Sequence, residues 1–190
     1  MRFAILSTHD IKNALVSCLT PDLLEPKYRA LVTADDPPES GHCAVATEAF
    51  YHLAGGKSAG FIPVVCRYDV DASTGSLIFS SSKENDGLRR ETHWWTRGPA
   101  GAARGMGDIV DVTSGQYAHA FPYEKGHNTG FMQPQQKPSK RAQILIDRVT
   151  QLLGAKALEG FKIRNIRAYQ KAQLHSTAAK QPQKRKAFKP

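Results

Sequence analysis

The chain has 190 residues, 41% hydrophobic and 23% charged, with 15 Gly and 11 Pro, a make-up that fits one globular domain of ordinary size and leaves little room for two. No stretch approaches the roughly 18 consecutive apolar residues of a membrane-spanning helix, and the apolar run in Met1-Arg2-Phe3-Ala4-Ile5-Leu6-Ser7 is shorter than a secretory signal needs, so a cytoplasmic protein is expected. The net charge of +9 is concentrated: residues 1–160 carry 17 Lys+Arg against 17 Asp+Glu, and residues 161–190 carry 9 against none.

Ile11, Leu15, Cys18 and Leu19 share one helical face in the segment from Thr8 to Leu19, with Thr8 placed to cap it and Pro21 to stop it. Residues 33–40, with two prolines and three acids, form a loop leading into Gly41-His42-Cys43. Cys43, Ala46, Ala49, Phe50 and Leu53 then recur at helical spacing, and Gly55-Gly56 supplies a left-handed stop, so Cys43 falls in the first turn of a buried helix. Phe61 to Tyr68 reads as a strand whose Pro63 belongs at an edge or at the first ladder position. Residues 71–91 read as an inserted loop or hairpin around Leu77-Ile78-Phe79. Thr92 to Thr96 and Asp108 to Thr113 are β-prone and form an antiparallel pair across a long Gly/Ala-rich link. A helix from about Lys140 to Leu153, capped by Ser139 and stopped by Gly154, takes Ile144, Leu145, Val149 and Leu152 as its core stripe. A last helix follows over about 155–173, and the tail from about Ser176 is expected to be disordered. The expected organisation is one α+β domain over 1–160, with the helix carrying Cys43 packed on a small antiparallel sheet, and a basic extension over 161–190.

Cys18, Cys43 and Cys66 are odd in number and widely spaced, which excludes a disulfide framework and a paired CxxC zinc site. Cys18 and Cys66 lie on apolar faces and read as packing. Cys43 differs, because a helix N-terminus favours a thiolate through its unpaired N–H groups and its dipole. A nucleophilic thiol also needs a base and a group that orients the base. His42 adjoins Cys43 but points in another direction on the helix, so His93 is the better base. Asp108 and Asp111 lie three apart, on opposite faces of a strand, so only one can share the face of the base. Asp111, set among Val110, Val112 and Thr113, is expected to be the buried one, and Asp108, beside the Gly-rich link, the solvated one.

Cys at a helix start, His93-Trp94-Trp95 on a strand and Asp111-Val112-Thr113 on the next resemble the transglutaminase-like branch of the papain-like cysteine enzymes. The wording of residues 41–49, of Leu53-Ala54-Gly55-Gly56, of Asp111 to Tyr117 and of Pro138 to Ala142 is similar to a small bacterial and phage family known as YunG-like, over about residues 38–153. The resemblance implies a papain-like core, with Cys43 as nucleophile, His93 as base and Asp111 as orienter. No Gln precedes the nucleophile as it does in papain-like peptidases, so backbone N–H groups near Cys43 must serve an oxyanion. The 71–91 segment is longer than the family pattern, and the basic end lies outside it.

The resulting expectation is a thiol hydrolase or acyltransferase acting on an amide, thioester or related acyl bond of an acyl or peptide substrate, with no cofactor and no metal. His42, Trp94, Trp95 and Gln116 are candidate substrate contacts, one of the two indoles lining a cleft and the other entering the core. A zinc ion on Cys43, His93 and Asp111, with His42, is a weaker alternative because no tight ligand spacing supports it. The runner-up function is a non-catalytic bacterial or phage accessory protein holding nucleic acid without sequence preference through Arg164, Arg167 and Lys171 on one helical side and Lys184, Arg185 and Lys186 in the tail.

Overall fold

Ser7 and Asp10 open the first helix, α1 (Thr8–Ser17): the Ser7 hydroxyl accepts from the Asp10 N–H while the Asp10 carboxylate accepts from the Ser7 N–H. The cap is therefore Ser7 and not Thr8, since only Ser7 has an acid three residues on to return the hydrogen bond. The structure is a computed structural model that describes residues 5–71, 74, 76–79, 89–99, 108–131 and 137–179. Lys184, Arg185, Lys186, the end of the tail and most of the 71–91 segment lie outside the described residues.

Among the described residues the element order continues through a short α2 (Pro26–Arg29), α3 (Cys43–Ala54), β1 (Ile62–Val70), β2 (Leu77–Ile78), β3 (Arg89–Arg97), β4 (Ile109–Val110), β5 (His127–Asn128), α4 (Lys140–Leu153) and α5 (Ala155–Ala179). The strands form one antiparallel sheet in the order β2-β1-β3-β4, with β5 sharing β1's outer edge beside β2. The architecture is α+β, as the alternation of patterns predicts. Pro63 is the second residue of β1, and its carbonyl accepts from the Thr129 N–H (2.9 Å) at the end of the β5 pairing, so its missing N–H costs at most the last bond of that short ladder.

The register Cys66↔His93 and Val64↔Trp95 puts His93 and Trp95 on one face of the sheet, with Val64, Cys66, Tyr68 and Phe121 in an aromatic-rich core. The helices build a second core from Ile11, Leu15, Phe50, Leu145, Val149 and Phe161, joined by Val110 and Val112. On α4 the buried stripe is Ala142, Leu145 and Val149, whereas Ile144 and Leu152, expected inside, are 42% and 58% exposed. Both types of residue satisfy a helical period, and only the direction from which α3 approaches selects among them. The boundary expected at residue 160 falls within α5, whose Phe161 is buried and whose Ile166 packs on the helical core.

The contact between α3 and β3 places the site. Among the described residues β4 pairs with β3 at Thr96 and Arg97. Further along that edge the carbonyls of Trp94 and Thr92 are taken by α3, the Thr47 hydroxyl donating to Trp94 O (2.9 Å) and the Cys43 thiol to Thr92 O (3.4 Å). Four residues of helix rise about 6 Å and two residues of strand about 6.6 Å, so donors at i and i+4 match acceptors at i and i+2. Cys43 is thereby held at the edge of the sheet, between its two faces.

Candidate active site

His93 and Asp111 meet as the chain order predicts. His93, fully buried on β3, donates from Nε2 to Asp111 Oδ2 at 2.8 Å. Asp111, immediately after β4, is buried, while Asp108 is exposed. The choice between them holds for the expected reason, although the regular strand ends at Val110 and Asp111 lies in the turn that follows. Its Oδ1 accepts from the Thr113 N–H (2.9 Å), and Oδ2 also accepts from the Tyr123 hydroxyl (2.8 Å). Burial pushes the Asp111 carboxyl up, but the hydrogen bonds it accepts from His93, Tyr123 and Thr113 outweigh it and hold the group below the usual carboxylate range. Tyr123 and Thr113 were not among the sequence candidates. Thr113 follows Asp111 by two and fits a local Asx-type turn, whereas nothing local marks Tyr123.

On the other side of the ring, Nδ1 lies 3.2 Å from Gln116 Nε2, and the same amide nitrogen donates to Thr113 Oγ1 at 3.0 Å. With Nε2–H directed at a carboxylate and an N–H of Gln116 directed at Nδ1, the hydrogen-bond network assigns the neutral tautomer that carries its lone pair on Nδ1. Rings pack round this imidazole: Phe121 at 4.6 Å, Tyr117 at 4.8 Å and Trp95 at 5.7 Å between centroids.

Cys43 is 7% exposed and lines two cavities. One, about 300 Å³, lies on the His93 side and is walled by Tyr28, Tyr68, Tyr117, Gln116 and Glu91. The other, about 380 Å³, lies on the Trp94 side and reaches Phe131, Val45, Glu48 and Arg141. Cys43 and His93 are not hydrogen-bonded to each other, since the thiol is engaged by Thr92 O and Nδ1 by Gln116. Burial pushes the Cys43 thiol up to about 12, against the N–H groups of Trp94 and Ala44, with Asp111 and Glu91 adding repulsion of the thiolate. The helix N-terminus alone leads one to expect a lowered thiol; desolvation wins, and Cys43 is a neutral thiol in this state.

Two substrate-contact candidates are corrected. Trp95 is fully buried against Phe121 and Tyr123 and lines neither cavity. His42 is also buried, with Nε2 against Thr20 O (3.0 Å), and is spent on holding the start of α3 against the loop after α1. Trp94 and Gln116 do line the cavities, one each. Arg164, Arg167 and Lys171 are exposed along α5, Arg164 donating to Leu6 O at 2.6 Å. Among the described residues no cluster of three or more His, Cys, Asp or Glu side chains could hold a metal ion, and no helix is long and apolar enough to cross a membrane. Comparison with protein-family models, curated proteins and solved structures finds no match to this chain.

Proposed function

We propose that the chain is a thiol-dependent acyl hydrolase or acyltransferase on a papain-like, transglutaminase-like core, with Cys43 as nucleophile, His93 as base and Asp111 as orienter. The observation that carries this reading is the buried imidazole whose Nε2–H is held by a carboxylate while its Nδ1 faces Gln116, a residue sharing a cavity wall with Cys43. A buried Nε2–H needs an acceptor in any role, and a carboxylate held in place by three further donor contacts also fixes the tautomer and orientation that a base requires.

In the reaction the thiol leaves Thr92 O, Gln116 releases Nδ1, and Nδ1 takes the thiol proton as sulfur attacks the acyl carbon. The backbone N–H groups of Ala44 and Trp94, which favour the Cys43 thiolate, are the donors this reading assigns to the oxyanion. The bond to the leaving group breaks, the proton passes from Nδ1 to that group, and water or an acceptor resolves the thioester through the same base. With p-nitrophenyl acetate the reading expects release of p-nitrophenolate and an acetyl group on Cys43; a Cys43→Ala chain with unchanged turnover rejects it.

Gln116 sets the resting state. Gln116→Ala removes the donor that competes for Nδ1, and iodoacetamide should then alkylate Cys43 faster at pH 7.5 by about 2- to 10-fold, the worth of one neutral hydrogen bond. A rate that falls or stays level shows that Gln116 does not restrain the base.

A second reading, independent of the thiol, rests on the exposed stripe of Arg164, Arg167 and Lys171, which spans about 10 Å of helix. We propose that it meets nucleic-acid phosphates. In fluorescence anisotropy with a labelled DNA duplex, the full chain carrying Arg164→Glu, Arg167→Glu and Lys171→Glu should show a salt slope shallower by about 2 to 3 than the unaltered chain. Identical slopes reject a role for the stripe.

A further inference from the structure

We infer that the cavity walled by Trp94 and Phe131 is the acyl chamber of the site, and that it selects an uncharged, apolar acyl group; this rests on the thiol reading above. The argument begins with where the proton must go. The leaving group receives its proton from His93, so it must depart on the face of the sheet where the imidazole lies. Gln116 and Tyr117, which touch His93, line the smaller cavity and not the larger one. Residues alternate across a strand, so Trp94 faces away from His93, and the larger cavity opens on that opposite face. Cys43, at the sheet edge, borders both. The leaving group therefore occupies the tyrosine-lined side, and the acyl group bound to sulfur occupies the other.

The chemistry of that second chamber follows from what its charges already do. Glu48 accepts from the Ser139 N–H (2.8 Å) and hydroxyl (2.6 Å). Arg141 donates to Glu25 at 3.0 Å and to Leu23 O at 3.2 Å. Lys27 lies 3.8 Å from Glu25 and 4.6 Å from the centre of the Tyr28 ring. Glu48, Glu25 and Arg141 are thus engaged within the protein, and Lys27, whose side chain is 67% exposed, stands at the solvent rim of the chamber. The uncharged lining beside the sulfur is the stack of Trp94 on Phe131, 5.8 Å between centroids at 17°, with Val45, Ala44 and the ring of Tyr28, which borders both cavities. An aliphatic or aromatic acyl group gains by leaving water for this surface, whereas a carboxylate would lose its hydration without a partner.

The test compares p-nitrophenyl acetate, hexanoate and hemisuccinate on the full chain, each rate divided by that with N-acetylcysteine. Hexanoate should exceed acetate in kcat/KM by at least about tenfold, because four more methylenes enter the chamber. Hemisuccinate should not exceed acetate. Trp94→Ala should bring the hexanoate-to-acetate ratio to within about threefold of unity; Trp94→Phe and Phe131→Leu, which keep more of the packing, should lower it in part. Cys43 acylation with equal use of acetate and hexanoate, a preference for hemisuccinate, or a ratio unmoved by all three variants overturns the chamber assignment alone. Absence of Cys43 acylation by every ester overturns the thiol reading and the chamber with it.

Discussion

Asp111→Asn lowers Cys43-dependent ester turnover by about 10² to 10⁴, the loss expected when the imidazole is left in the wrong tautomer. The carboxylate receives only donors: His93 and Tyr123 on Oδ2, Thr113 on Oδ1. An amide in its place must turn its NH₂ toward one of these, and the arrangement that relieves His93 moves the ring proton to Nδ1. There it meets the Gln116 N–H and removes the lone pair the thiol needs. Asp111→Ala goes further, leaving several buried donors without an acceptor at a cost of about 3–5 kcal/mol. The carboxyl titrates lower folded than unfolded. Its stabilisation is therefore complete above about pH 4 and is lost as the pH falls through the folded value, so unfolding curves of the native chain and Asp111→Asn should converge in acid. Equal turnover, or curves separated equally at every pH, would show that the carboxylate neither orients the base nor carries this stability.

Gly126→Ala produces the largest loss of stability expected from adding a single carbon. A Cβ at Gly126 falls inside the van der Waals envelope of Trp95 Cη2 and Cζ2 and only 2.7 Å from Val64 Cγ1. Trp95 is fully buried, so its ring cannot withdraw without unpacking Phe121 and Tyr123. Overpacking of this kind costs about 3 kcal/mol or more, a drop in Tm of about 6–12 °C for a chain of this size. Activity should fall too, because Tyr123 is both Trp95's neighbour and a donor to Asp111. Gly160→Ala is the contrasting case. Its nearest described neighbour is Arg164 Nη1 at 3.7 Å, so the added methyl makes only an ordinary contact with a flexible side chain of α5, and the change should stabilise by up to about 1 kcal/mol. Thermal melts of the two variants check both signs.

The parts of this site that could be read from sequence are those set by local pattern. Helical spacing with Gly55 behind it placed Cys43 in the first turn of α3, and apolar neighbours separated Asp111 from Asp108. Ser7 was legible as well, through the acid at Asp10, but Thr8 competes for the same role by type alone. What depends on the approach of distant segments was not legible. Ile144 and Leu145 fit a helical stripe equally until α3 selects Leu145, and Trp94 and Trp95 are equivalent until the aromatic-rich core forms on one face of the sheet. The thiol shows the limit most clearly: a helix N-terminus is visible in sequence, but the burial that reverses its effect on Cys43 is a property of the whole fold.

The central claim is that sulfur of Cys43 carries the acyl group and that His93 puts it there. Peptide mapping by mass spectrometry after brief exposure to p-nitrophenyl acetate at pH 7.5 tests it most directly. The account predicts an acetyl group on the Cys43 peptide, none on Cys18 or Cys66, and at least a hundredfold slower labelling in a folded His93→Ala chain. Equal labelling of Cys43 with and without the imidazole, or acetylation confined to the other thiols, would contradict it.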